Sequence, residues 1–182
     1  MRQMTRKPGS ASARQAARGF TLIELITVIG ILGILAVAGG GAVLSSIDSI
    51  RTNAAAARLT SDVRLMQRIA MASGLRTWVV LSAGSNNYQL FMEDPSNPGK
   101  PGRQAFTHPS SQDTGVVQFG AGDFSNVVIS NVSVNSTSEI EFDSLGVPHD
   151  GAGNPLAATG QITLSGGATI TVYPVSGMVE RI

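Results

Sequence analysis

Between Arg18 and Asp48 the chain carries one charged side chain, Glu24. It stands in Gly19-Phe20-Thr21-Leu22-Ile23-Glu24, at the head of a long apolar run. A carboxylate inside such a run is costly unless it has a partner. Two chemistries would supply one. Thr21 followed by Glu24 has capping-box spacing, in which the acid satisfies a free backbone N–H and suits the positive end of the helix dipole. Alternatively, a cut between Gly19 and Phe20 would create an α-amine with an ordinary pKa of about 8. Glu24 could neutralise that amine on a neighbouring copy, within a bundle of helices. Both roles can hold together, and Glu24→Gln separates them, because Gln keeps the cap and loses the charge.

The elements that position this acid are legible from charge and periodicity. Residues 1–19 hold Arg2, Arg6, Lys7, Arg14 and Arg18 and no acid. Residues 25–47, a run of 23, hold no charged side chain. As a helix that run would cover roughly 34 Å, enough to cross a bilayer core. The basic leader predicts a cytoplasmic N-terminus. A secretory signal would have a shorter apolar core and a small-residue cleavage site after it. A plain membrane anchor would leave Glu24 without a role.

The stretch Arg18-Gly19-Phe20-Thr21-Leu22-Ile23-Glu24-Leu25-Ile26 resembles the class III signal of type IV pilins and type II secretion pseudopilins. That resemblance implies cleavage after Gly19 by a prepilin peptidase of the bacterial inner membrane and N-methylation of Phe20. It also implies assembly with other pilin-type subunits through Glu24, with membrane lipid holding the helix beforehand. A start at Met4 would shorten the leader.

Helical spacing continues beyond residue 44. Ile47, Ile50, Ala54, Ala57, Leu59, Val63, Met66 and Ala70 are expected to form a face packed on the C-terminal domain, ending near Ser73 with Gly74 as the cap. Gly30 and Gly33 read as close-packing positions, and residues 39–41, all glycine, as a softened point. Arg58 and Asp62 have i,i+4 spacing for an ion pair on a solvated face. Arg64, Arg68 and Arg76 could instead form a basic stripe.

After Gly74 the period becomes two. Strands are expected at 75–82, 87–92, 116–119, 127–134, 139–142, 161–164 and 168–173, with Ser165-Gly166-Gly167 as a hairpin turn. The expected fold is α+β, a long helix packed on a small antiparallel β-rich domain. Its expected divisions are a leader (1–19), an assembly or transmembrane helix (20–44), an amphipathic helix (45–73) and a periplasmic head (74–182). The Pro/Gly-rich segments 93–115 and 145–159 are long enough to read as partner-contacting loops.

Phe142-x-x-x-Gly146, the helix segment Ala57-Arg58-Leu59-Thr60-Ser61-Asp62-Val63-Arg64 and the terminal Val175-Ser176-Gly177-Met178-Val179 resemble the GspH/FimT branch of pseudopilins and minor pilins. That likeness implies a structural minor subunit rather than an enzyme. Some minor pilins of that branch bind DNA through a basic tail. Here Arg181 is the tail's one base and Glu180 opposes it. Setting the five leader bases aside leaves eight bases against twelve acids, a poor surface for phosphate backbone, so nucleic acid is not an expected partner.

No cofactor is expected. The absence of Cys removes disulfides and thiolate sites. His108 and His149 read as exposed loop residues rather than metal ligands. Asp143, Asp150 and Asn154 offer oxygens of the kind calcium takes, without EF-hand spacing. Asn131 and Asn135 match the glycosylation pattern, which reads as chance. Nucleophile-elbow, phosphate-loop and dinucleotide signatures are missing.

Overall fold

The computed structural model describes residues 19–108, 115–120 and 122–182, and within the helix it leaves the surroundings of side chains 38–44 undescribed. The leader and the expected softening at residues 39–41 therefore lie outside the described residues. Helix α1 is Leu22–Ser73. Two compact units are distinguished, Met1–Ala42 and Val43–Ile182.

In the first unit the large apolar side chains between Phe20 and Val37, from Leu22 through Ile29 to Leu35, are exposed. A Cβ added at Gly30 or Gly33 would meet nothing within 4 Å. A helix apolar all round has no solvent face of its own. Burial of each such aliphatic side chain is worth about 1.5–3 kcal/mol, and here that burial must come from other molecules.

The second unit is α+β. Strands β1 (Thr77–Leu81), β2 (Asn87–Met92), β3 (Gln104–Ala105), β4 (Val116–Gln118), β6 (Glu139–Phe142) and β7 (Pro148–Asp150) form one antiparallel sheet. Its order is β3-β2-β1-β6-β7, and β4 also pairs with β2. Strands β5 (Ile129–Ser133), β8 (Gly160–Leu164), β9 (Thr169–Val172) and β10 (Val179–Arg181) form a second, in the order β10-β9-β8-β5. The helix buries Ala55, Ala56, Leu59, Val63, Met66 and Ala70 against both sheets, including Val79, Leu90 and Phe142 of the first and Ile162, Ile170 and Val179 of the second. Gly74 N–H closes the helix onto Ala70 O at 3.0 Å.

The expected helix face is correct from Leu59 onward and out of phase before it. Ile47, Ile50, Ala54 and Ala57 are exposed, and Thr52, Ala55 and Ala56 are buried instead. The buried set Thr52, Ala55, Ala56, Leu59, Asp62, Val63 and Met66 keeps helical spacing through its polar members. Reading only apolar residues shifted the phase.

Segment 93–115, expected as a loop, contains β3 and is tied down where it is described. Glu139 is buried and pairs with Lys100 at 2.5 Å and with Arg103. The Arg103 guanidinium stands 4.3 Å above the Phe91 ring and 5.9 Å from that of Trp78. These contacts cover the sheet face opposite the core, so β6 is buried on both sides. Segment 145–159 likewise contains β7, and the tail contributes β10. All three strands are only two or three residues long, too short for periodicity to reveal.

Candidate processing and assembly site

Gly19 and Phe20 precede α1 and are exposed. Thr21 is the N-cap, its Oγ1 accepting from the Glu24 N–H at 3.3 Å and its carbonyl from the Leu25 N–H at 3.2 Å. This is the Thr half of a capping box. Gly19, Phe20, Thr21 and Glu24 line one open recess. The acid and the Gly19–Phe20 peptide bond thus share one face at the helix start, both open to another molecule. Among the described residues no helix is long and apolar enough to cross a membrane.

The other sequence-selected residues lie in the second unit and do not join this recess. Asp143 Oδ1 accepts from the N–H groups of Leu145 and Val147, both at 2.9 Å. Asp150 Oδ1 accepts from Ala152 at 2.9 Å and Asn154 at 3.0 Å, and Asn154 Nδ2 reaches Asp150 at 3.5 Å. Asp143 follows β6 and Asp150 is the last residue of β7, each turned onto its own loop's backbone. Burial works against the Asp150 charge, but the donors from Asn154, Ala152 and Asn135 prevail and hold its pKa below the usual carboxylate value. Among the described residues no cluster of three or more His, Cys, Asp or Glu side chains could hold a metal.

His108 is a correction. It is buried, with Nε2 3.3 Å from Asp62 Oδ1. His149 is half-buried, its Nδ1 3.0 Å from Val147 O. Asp62 itself is buried, which corrects the expectation of a solvated pair. It accepts from Arg58 Nε at 3.0 Å and from the Tyr88 hydroxyl at 2.5 Å. Burial, then the Asp62 charge and hydrogen bond, pushes the Tyr88 pKa well above its ordinary value. Burial opposes the Arg58 charge, yet the hydrogen bond and charge of Asp62 leave its pKa raised. The sign that Asp62 turns inward was present in the sequence, since it sits in phase with Leu59, Val63 and Met66.

The prokaryotic N-terminal methylation motif matches residues 14–40. Over 154 residues the chain is 29% identical to the pilin-like protein PilA1 of Thermus thermophilus, covering 84% of this chain and 89% of that one. In motif and relative alike the chain is similar to the type IV pilin and pseudopilin superfamily. Two structures of the minor pseudopilin EpsH, from the type II secretion system of Vibrio cholerae, share the pilin-like fold. Their TM-scores are 0.51 and 0.52 at 12% and 10% identity, over 72% of this chain and 96% and 93% of theirs.

In this pilin-like chain one side chain missed by sequence reading joins two of the segments that carry the branch resemblance. Gln67 Nε2 donates to Gly146 O at 2.9 Å and to Ser176 O at 3.0 Å. A Cβ on Gly146, which has φ +79°, would come within 2.8 Å of Met71 Sδ. One on Gly177, with φ +62°, would lie 2.3 Å from Gln67 Nε2. Only glycine allows both loops to approach the helix so closely. The arginines of the supposed stripe divide. Arg64 caps Val179 O on edge strand β10 at 2.5 Å, Arg76 pairs with Glu141 at 3.2 Å, and Arg68 is exposed.

Proposed function

We propose that the chain is a structural minor subunit, of the GspH/FimT kind, in a type II secretion pseudopilus or a type IV pilus, and not an enzyme. It is made as a precursor with its leader in the cytoplasm and residues 74–182 in the periplasm. Prepilin peptidase cuts after Gly19 and methylates Phe20. Residues 20–44 rest in the inner membrane until assembly, when neighbouring helices replace lipid around the same apolar surface. The exchange is nearly neutral in hydrophobic energy, and Glu24, paired with a neighbour's Phe20 amine, sets the register.

One observation carries this reading. An exposed apolar stretch of helix starts directly behind the Gly19–Phe20 bond, with Glu24 on the face of that bond. Mass spectrometry of the protein extracted from membranes tests it. An N-terminal methylated Phe20 is expected, and an intact leader refutes the proposal.

A further inference from the structure

Strand β10 ends its sheet. Ile182 and Thr169 exchange N–H···O bonds at 2.9 and 3.3 Å, and the Tyr173 N–H reaches Met178 O at 2.9 Å. This ladder turns the backbone of Glu180 toward β9, and its alternation turns that of Val179 and Arg181 the other way. Among the described residues β9 is the one strand paired with β10, so no strand takes the Val179 N–H or the Arg181 N–H and carbonyl. Val179 O is taken by the Arg64 guanidinium, which narrows the open edge without covering it. An unpaired strand edge is a template for another chain.

Between that edge and α1 lies a groove of about 740 Å³, a size that suits a bound ligand. Its helix wall is small at Ala57 and Ser61 and basic at Arg64 and Arg68, and Arg181 stands on the strand side. Among the described residues no carboxylate side chain lines it. Arg64 and Arg181 donate to the carbonyls of Val179 and Asn53, so no acid offsets their charge in the groove. Glu180 lies on the opposite face of β10, where it accepts from the Tyr173 hydroxyl at 3.2 Å. The groove therefore sets unused backbone groups on one wall against positive charge on the other.

We propose that this groove takes an extended acidic segment of a partner protein, added to β10 as a further strand. A nucleic acid would use the charge and leave the strand edge idle. The added strand runs antiparallel, as all pairings in both sheets do. Its residues that bond Val179 and Arg181 point their side chains to the helix, as those two do, and there acids meet Arg64 and Arg68. The alternate residues point away beside Glu180, where a further acid would be repelled. The recognised pattern is thus an acid at every second position. This docking goes beyond the subunit reading and requires neither cleavage nor assembly.

The probe is a fluorescein-labelled peptide alternating Glu with Val between terminal Thr residues. It is added to the full-length chain in detergent micelles and followed by anisotropy. Saturable binding is expected. N-methylation of the Glu amides should weaken it roughly tenfold or more, since those N–H groups face β10. N-methylation of the Val amides should leave it unchanged. Arg68→Glu, an exposed substitution, should weaken it by about tenfold with Trp78 emission unaltered. No binding, indifference to methylated Glu amides, or loss on methylating the Val amides would overturn the proposal. So would a short DNA duplex that binds as tightly and is weakened by the same substitution, because the groove would then be a general anion site.

Discussion

Met1–Ala42 and Val43–Ile182 solve opposite problems. The described apolar residues of the first unit lie open, with a carboxylate among them that forms no ion pair among the described residues. The second unit buries acids too, but it surrounds them. Asp62 meets Arg58, Tyr88 and His108, Glu139 meets Lys100 and Arg103, and Glu141 meets Arg76 and the Trp78 indole. The first unit's stability depends on its surroundings, and the second carries its own. Substitutions in the second should therefore change its unfolding, while those in the first should change assembly and leave that unfolding untouched.

Trp78, the chain's one tryptophan, is fully buried, and its fluorescence reports the second unit. The largest effect is expected for Asp62→Ala, which strands Arg58 and leaves the Tyr88 hydroxyl without its acceptor. A loss of about 1–3 kcal/mol follows from the stranded Tyr88 hydroxyl alone, and the part-buried Arg58 adds to it, readable as a shifted denaturation midpoint at constant slope. Gln67→Ala should cost about 0.5–1.5 kcal/mol, because two loop carbonyls, one exposed and one part-buried, lose their donor. An unchanged midpoint would show that the loops hold themselves.

Alkali gives a third, graded effect. Below pH ~10 Tyr88 is protonated folded or unfolded. Above it the unfolded chain ionises while the folded chain keeps the proton, so stability should fall by up to about 1.4 kcal/mol per pH unit. Tyr88→Phe should flatten that slope, and a slope unaltered by the substitution excludes Tyr88 as its source. The smallest effect is that of Glu24→Gln, within ~0.5 kcal/mol as for other surface changes, together with loss of filament assembly. Normal assembly of that variant would refute charge pairing. A shifted Trp78 midpoint would break the division between the units.

Much of this was legible in the chain. The class III stretch ending at Glu24, the cap at Gly74, strands such as β2 and β6, and the Ser165-Gly166-Gly167 hairpin all announce themselves through local chemistry. What stayed hidden depends on partners distant in sequence. The phase of Asp62 pointed inward, but the hydroxyl that receives it was hidden because it lies on β2. Segment 93–115 looked unattached because Lys100 and Arg103 find Glu139 on β6. Strands β3, β7 and β10 are too short to show alternation, and Gln67 has an unremarkable neighbourhood until two loops close on it.

The latch formed by Gln67 also constrains the order in which this protein can fold. Its partners lie 79 and 109 residues downstream, Arg64 bonds Val179 across 115, and Arg181 bonds Asn53 across 128. Contacts of such separation form slowly, because long stretches of chain must be ordered before they can close. The helix face is therefore sealed by residues 176–181, more than a hundred positions beyond it. A chain stopped before Val175 would lack the strand and both clasps that complete the seal, so the second unit cannot close until residues 175–181 have emerged.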